Sequence, residues 1–473
     1  MRARQSGIRA SPSGNQLRPR QEIPVLRENR PRFKVAESVE QSRRLFLKPS
    51  HGSSAARFDY GFKKSRLRFV WRNGSLLAIF GGSMSKNEPV IYLDNNATTQ
   101  VDPAVVEEML PYLTEFYGNP SSAYSFGSRV AKAVDKARGQ VAHLLGCRPD
   151  EILFTSCGTE SNNSAIASAL THDLDRQHVV TTRVEHSAIM KQGEWLAKRG
   201  HEVTWLGVDD KGRIDLAELE RAIRPDTAIV SVMWANNETG VLSPIHEIAS
   251  IVHKKKVFFH TDAVQAVGKI PINLAAEHSH INFLSVSGHK LHCPKGVGVL
   301  YVNHRSKFNP YLIGGGQEHG KRAGTENVAS IVALGKACEL AGQSMEQENR
   351  EVRALRDEFE TAILQNIPGT QVNGDREHRL PNTTSIAFEG IDSEAVLMLL
   401  DKNHICCSAG SACTTGSLHP SHVLKAMGFS TDRARSSLRF SFSRFNTKAE
   451  VEKALQVLPQ IISKLRQMAT GSN

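Results

Sequence analysis

The chain has 473 residues, 40% hydrophobic and 23% charged, a globular mix long enough for two or three domains, which excludes a wholly disordered, collagen-like or coiled-coil chain. No apolar run approaches the ~18 residues that span a bilayer, which excludes an integral membrane protein built on helices. The net charge of +11 is confined to one end: residues 1–83 hold 18 Lys and Arg against 5 Asp and Glu, and the other 390 hold 41 against 43, so basicity is no argument for nucleic-acid binding by the body.

Residues 1–83 are rich in Arg and Ser and poor in acid and in apolar periodicity, and they read as a disordered basic extension. Four readings compete for them. A nucleic-acid arm lacks aromatic interleaving, and a mitochondrial transit peptide fits the composition at unusual length. A twin-arginine export signal at Ser42-Arg43-Arg44-Leu45-Phe46-Leu47-Lys48 lacks its apolar run, because Pro49-Ser50-His51-Gly52-Ser53 follows. The favoured reading is a start placed too early, with Met84 as the true one. The expected location is cytoplasmic, or mitochondrial on the transit-peptide reading. Seven cysteines, at 147, 157, 293, 338, 406, 407 and 413, are odd in number, scattered and without a CxxC pair. They argue against a zinc ribbon, a disulfide framework or a metal site, and for reduced thiols.

From residue 89 onward, short β-rich runs alternate with amphipathic helices. A strand at 91–93 precedes a helix opened by Asp102-Pro103. Val130, Val134, Ala137, Val141, Leu144 and Leu145 repeat at helical spacing, and Gly146 stops that helix. Strands are predicted at 152–155, 178–184, 202–208, 227–234, 257–260, 282–286 and 298–302, with helices among them at 187–199, 215–223 and 245–254. The alternation predicts an α/β unit with a largely parallel sheet over 84–345. A charged helix at 346–366 leads into a smaller α+β unit, 346–473, with a strand near 384–388 and helices at 393–401 and 448–468. The first residues of the large unit are candidates for packing on the small one. No internal repeat is present.

Ligands of open α/β sheets bind at the carboxyl ends of the strands. Ser156-Cys157-Gly158-Thr159-Glu160-Ser161 follows one strand, as either a phosphate cradle at a helix N-terminus or a plain cap. Glu185-His186, Asn236-Asn237-Glu238 and Asp262-Ala263-Val264-Gln265 follow three more. A lone His is commonly structural, and the Asp suits a helix cap as well as a ligand anchor. Ser287-Gly288-His289-Lys290 follows another, placing a Lys in a tight turn where a Schiff base can form. Together these clusters supply what pyridoxal phosphate needs: an amine, a carboxylate for the ring nitrogen, a ring to stack and donors for the phosphate.

The sequence resembles the NifS-like cysteine desulfurases, pyridoxal-phosphate enzymes of fold type I. The resemblance rests on Tyr92-Leu93-Asp94-Asn95-Asn96-Ala97-Thr98-Thr99, Gly118-Asn119-Pro120-Ser121-Ser122, His260-Thr261-Asp262-Ala263-Val264-Gln265, Ser287-Gly288-His289-Lys290 and Ser408-Ala409-Gly410-Ser411-Ala412-Cys413-Thr414-Thr415-Gly416. It runs from about residue 90 to about 467 and leaves 1–83 without a counterpart.

The resemblance implies a large domain with a seven-stranded, mostly parallel sheet and a smaller α+β domain. It implies the conversion of L-cysteine to L-alanine, with sulfur passed to an enzyme cysteine for iron–sulfur or other sulfur-cofactor assembly. Lys290 would carry the internal aldimine, Asp262 would pair with the ring nitrogen, and His186 would stack on the ring and move protons. Gln265 and Asn236 would address the ring hydroxyl and the substrate region. Gly158, Thr159, Ser287 and His289 would hold the phosphate, and Thr325 would reach the phosphate of a partner subunit, implying a homodimer. Arg439 would clamp the substrate carboxylate. Cys413, in a Gly- and Ser-rich loop of the long NifS/IscS type, would be the nucleophile that becomes a persulfide; apart from the resemblance it reads as an inert loop residue. Cys406 and Cys407 read as buried strand residues. One departure is Tyr124, which stands where relatives often have His.

Other readings lack their signatures. A different fold-type-I enzyme, an aminotransferase or kynureninase-like lyase, needs no Cys in such a loop. A cofactor-less assembly scaffold would lack Lys290 or Asp262, and a Cys/His hydrolase needs no Lys290. The expected partners are L-cysteine and a sulfur-acceptor or iron–sulfur scaffold protein, with no nucleic acid and no membrane.

Overall fold

A computed structural model of the chain describes residues 57–62, 65–72, 75–80, 89–409 and 420–470. The chain divides into two units, Met1–Lys86 and Asn87–Asn473. In the first, β1 (Arg57–Phe62), β2 (Ser65–Arg72) and β3 (Ser75–Phe80) form an antiparallel sheet in that order. Phe62 pairs with Ser65 and Arg72 with Ser75. The two residues between the latter pair are Asn73-Gly74, a favoured hairpin sequence. The expectation of a disordered extension over 1–83 is corrected over these strands. Leu67, Phe69 and Trp71 alternate with Arg66, Arg68 and Arg72 in a strand pattern that the Arg-rich composition obscured. The proposed start at Met84 lies outside the described residues.

The second unit opens with β4 (Ile91–Tyr92), α1 (Pro103–Met109), α2 (Pro111–Thr114) and α3 (Ser125–Leu145). Asp102 caps α1 by accepting the Ala104 N–H at 2.8 Å, with Pro103 at the first helical position. Gly146 ends α3 at φ 60°, a left-handed conformation that a side chain would strain. Strands and helices then alternate: β5 (Ile152–Thr155), α4 (Gly158–His172), β6 (His178–Thr182), α5 (Ser187–Ala197), β7 (Glu202–Leu206), α6 (Leu216–Ala222), β8 (Thr227–Ser231), α7 (Ile245–Lys254), β9 (Phe258–Asp262), β10 (Phe283–Ser287) and β11 (Gly298–Val302). The sheet order is β5-β11-β10-β9-β8-β6-β7. Only β11 runs antiparallel to its neighbours, so the expected seven-stranded, mostly parallel sheet is present.

Side-chain alternation along each strand builds the layers. Phe154, Val180, Val230, Leu284 and Val299 face one apolar cluster with α3 and α7. Their neighbours Leu153, Val179, Ile229, Phe283 and Leu300 face another with α4 and α5. Helices therefore cover both faces of the sheet.

The helix predicted at 346–366 is the second half of one 39-residue helix, α8 (Val328–Asn366). Ile331, Leu334 and Cys338 lie in the sheet-side core, whereas Val352, Phe359 and Ile363 lie in a second core. Around that second core stand β12 (Thr370–Val372), β13 (Thr383–Phe388), α9 (Ser393–Asp401), β14 (Ile405–Cys406), β15 (Ser408–Ala409), α10 (His422–Ala426), α11 (Thr431–Arg435), β16 (Ser437–Ser441) and α12 (Lys448–Thr470). The antiparallel order is β12-β13-β16-β15, and β14 pairs with β4, so Ile91 and Leu93 join this smaller core. Among the described residues no helix is long and apolar enough to cross a membrane.

Candidate active site

The strands β5, β6, β8, β9 and β10 run in one direction, so their carboxyl ends meet along one edge of the sheet. At that edge lies a cavity of about 350 Å³. Ser287 ends β10, and the single turn Gly288–Lys290 lifts Lys290 into the cavity wall. There the Lys290 Nζ donates to the backbone oxygens of Asn96 (2.6 Å) and Ala97 (2.7 Å). Asp262 ends β9 and is buried. Its Oδ1 accepts the Val264 N–H at 3.0 Å and its Oδ2 accepts the Asn162 side-chain amide at 2.7 Å, so the carboxylate is oriented from both sides. Gln265 also lines the cavity and donates to the Asn96 carbonyl at 2.9 Å.

His186 caps α5. Its Nδ1 accepts the Ala188 N–H at 3.1 Å, which makes Nε2 the protonated nitrogen of the neutral ring. The Nδ1 of His289 hydrogen-bonds the Thr98 hydroxyl at 3.2 Å. Burial, then the charge of Lys290, pushes the His289 pKa down to about 4, so the ring is neutral at pH 7.

Gly158 and Thr159 begin α4, whose cap residue Cys157 supplies no side-chain hydrogen bond. The first-turn N–H groups are thus left for a ligand. A Cβ on residue 158 would stand 2.7 Å from the Val264 Cγ2, so Gly keeps this approach open. Arg439, from β16, is fully buried in the wall. Its Nη1 donates to the Asn237 carbonyl at 2.9 Å and its Nη2 to Asp94 at 2.6 Å. Among the described residues, the Arg439 Nε and the Asn237 Oδ1 are buried without a partner.

The structure does not bring every predicted residue here. The Asn236 amide is turned away: its Oδ1 accepts the N–H groups of Glu238 (2.9 Å) and Thr239 (3.0 Å), and its Nδ2 donates to the Val184 carbonyl at 3.0 Å. Contrary to the expectation for Asn236, it is Asn237 that lines the cavity. Thr325 is exposed and outside the cavity. Cys413 lies outside the described residues. Cys406 ends β14 and Cys407 follows it, both half-buried. Sequence reasoning missed Asn162, Glu238 and His422. The Asn162 position one turn beyond Gly158 was a usable signal, because α4 carries both to the same edge. Glu238 is buried, accepts a hydrogen bond from Ser421, and has its pKa raised by burial.

These residues fit pyridoxal phosphate. A cavity of this size suits a compact ligand. An amine, an oriented carboxylate, a neutral imidazole and an uncapped helix start are the donor set the group requires, and an orphaned donor and acceptor remain for a second, smaller molecule.

A site of this kind on this sheet defines a vitamin-B6-type transaminase architecture. The aminotransferase class-V family matches residues 91–454, and the chain belongs to that family. Within it, the chain is 55% identical over 384 residues to cysteine desulfurase 2 of Trichormus variabilis, covering 81% of this chain and 96% of the relative. It is 53% identical over 380 residues to the cysteine desulfurase NifS of Azotobacter vinelandii, covering 80% and 94%. A solved NifS-like protein superposes with a TM-score of 0.74 at 36% identity, covering 80% of this chain and all of that one.

Proposed function

We propose that the protein is a cysteine desulfurase that takes sulfur from L-cysteine and releases L-alanine. The observation that carries the reading is the Lys290 amine at the head of a cavity that also holds an oriented Asp262 and a buried, only partly satisfied Arg439. Pyridoxal phosphate, when bound, withdraws electrons from the substrate carbon skeleton.

This chain's own residues do the rest. Lys290 would be the attachment point and would carry a proton on and off at Nζ. Asp262, held by Asn162 and the Val264 N–H, would hold a proton on the ring nitrogen of the bound group. His186 would lie against the ring and hold a proton at Nε2. The start of α4, with Ser287 and His289, would bind the phosphate. Gln265 would address the ring oxygen. Arg439 offers Nε to the substrate carboxylate, and Asn237 Oδ1 accepts from the substrate amine. Cys413 takes the sulfur: the substrate C–S bond breaks, an S–S bond forms on Cys413, and the thiol proton ends on alanine.

The working unit is a homodimer on this reading. Thr325 is exposed and does not line its own cavity, and Leu113, Tyr117 and Ile313 leave apolar surface in solvent at 58%, 74% and 90% exposure. The acceptor of the sulfur is a second protein, for iron–sulfur or related assembly. The test is the visible spectrum of the purified protein, followed by alanine and sulfide release on adding L-cysteine. A colourless protein that releases no alanine after incubation with pyridoxal phosphate overturns the proposal.

A further inference from the structure

The start of α4 is gripped by one short segment, Glu318 to Arg322, that does not itself line the cavity. Glu318 reaches back to β5: its Oε2 accepts the Phe154 N–H at 2.9 Å, and the buried Arg138 holds its two oxygens at 2.7 and 3.0 Å. Four residues on, Arg322 reaches α4: its Nε donates to Glu160 Oε1 at 2.9 Å and its Nη2 to Glu160 Oε2 at 3.2 Å. One segment therefore holds both the strand before the turn at 156–159 and the helix after it. Its backbone is left-handed at two residues other than glycine, Glu318 (φ 49°) and His319 (φ 57°). Such strain persists only where the surroundings over-determine it, and it gathers at ligand clamps. Gly298 of β11 also backs the turn, since a Cβ there would stand 2.8 Å from the Cys157 carbonyl carbon.

Glu160 is the third residue of α4, directly after Thr159, and its Oε2 also accepts the Ser156 N–H at 2.7 Å. Its side chain is 9% exposed and that of Arg322 21%. Burial favours the protonated acid, but the hydrogen bonds from Arg322 and Ser156 outweigh it and hold the pKa below the ordinary carboxylate range, so Glu160 is ionised at pH 7. A carboxylate suits a helix N-terminus that holds no other anion. A phosphate bound in the same first turn would be repelled by it. Among the described residues, Arg322 is the cation that pairs with Glu160, and Glu318 and Glu326 act on that arginine only through space.

We propose that Arg322 is a positioning residue for the phosphate end of the cavity: its fork holds the Glu160 carboxylate back against the Ser156 N–H and cancels the charge that a bound phosphate would otherwise meet. The guanidinium suits this task because its two donors match the two carboxylate oxygens in one plane. The inference deepens the functional reading and rests on the start of α4 receiving the phosphate.

The experiment is an equilibrium titration of the full-length protein, freed of bound aldehyde with hydroxylamine and dialysed, followed by visible absorbance. It is run with pyridoxal phosphate and separately with pyridoxal, which lacks the phosphate. Arg322→Met is expected to bind pyridoxal phosphate roughly tenfold more weakly, the scale of one uncompensated neighbouring charge, and to bind pyridoxal as the unaltered protein does. Glu160→Gln removes the carboxylate and is expected to hold or raise the affinity for pyridoxal phosphate. Equal losses for both compounds in Arg322→Met would mean a general loosening of the fold and overturn the proposal, as would no loss for either. If Arg322→Met does not fold, Glu160→Gln decides alone: unchanged or tighter binding of pyridoxal phosphate supports the proposal, and weaker binding overturns it. An unaltered protein that binds neither compound would overturn the functional reading itself, whereas binding that Arg322→Met leaves unchanged overturns only this inference.

Discussion

Arg439 and Asp94 meet at 2.6 Å in the wall of the main cavity, with the arginine 1% exposed and the aspartate 15%. The ion pair and the Asn237 carbonyl fix two nitrogens of the guanidinium and leave Nε free. On the proposed reading, a substrate carboxylate would meet a cation that is already oriented. A buried charge without its partner is costly, and Asp94 supplies that partner to Arg439.

Arg439→Lys replaces a planar fork with a point charge. The KM for L-cysteine is expected to rise on the order of 10- to 100-fold, about 1.4–2.8 kcal/mol of lost binding. The visible band of the loaded protein should remain. An unchanged KM in steady-state assays would remove Arg439 from substrate recognition.

Lys290→Ala is expected to fold, since the residue lies at a strand end rather than in an apolar cluster. It should hold the cofactor only reversibly. Borohydride treatment followed by mass spectrometry checks this: cofactor mass still covalently fixed to Lys290→Ala would show that another amine is the attachment point.

Cys413→Ala separates sulfur transfer from cofactor binding. The variant is expected to bind pyridoxal phosphate and to change colour with L-cysteine, yet to form no persulfide and release no alanine. Burial raises the thiol pKa of both Cys406 and Cys407, which keeps them protonated and unreactive. Cys406→Ala and Cys407→Ala should stay active, with at most a small loss of stability from vacated volume. Near-normal turnover by Cys413→Ala in a reductant-limited assay would assign the nucleophile elsewhere.

Stability should fall with acid in a defined window. Burial, the largest cause in each case, pushes His260, His289 and His292 down to about 4. An unfolded histidine titrates near ~6.5. Below that pH the unfolded chain takes up protons that the folded chain refuses, so the stabilising contribution is complete above about 6.5 and drains away toward about 4. Urea midpoints measured from pH 7.5 to 4.5 should decline through this range, and a flat profile contradicts the assignment.

A truncated protein starting at Met84 is expected to be soluble, dimeric and active. Every apolar cluster of the second unit is built from residues 91 onward. Aggregation of the truncated protein on expression, with the full chain soluble, would show that the first unit supports the body.

The seven-stranded sheet was legible because its strands are short apolar runs closed by polar turns, as at Ile152–Thr155 and Gly298–Val302, where the predicted and observed bounds agree. The first half of α8 was not. Val328 to Ala341 is nearly all small and apolar, buried on most sides, and offers no amphipathic stripe to read. At the site, the strand-end rule brought out Asp262, His186 and Lys290. It could not choose between Asn236 and Asn237, because adjacent residues in one turn differ only in which amide caps the local backbone. The strands at 57–80 flank an Asn-Gly hairpin sequence that the Arg-rich composition obscured.

The 39-residue span of α8 has a mechanical consequence. At 1.5 Å per residue it is a rod about 58 Å long whose two halves are embedded in two different cores. Shutting the smaller core down over the cavity, as two jaws do, would mean bending that rod at a point free of proline and of left-handed backbone. Closure of the cavity by movement of the smaller core is consequently not expected, and the frame should stay the same width. Small-angle scattering profiles of the enzyme with and without a bound amino acid should superimpose.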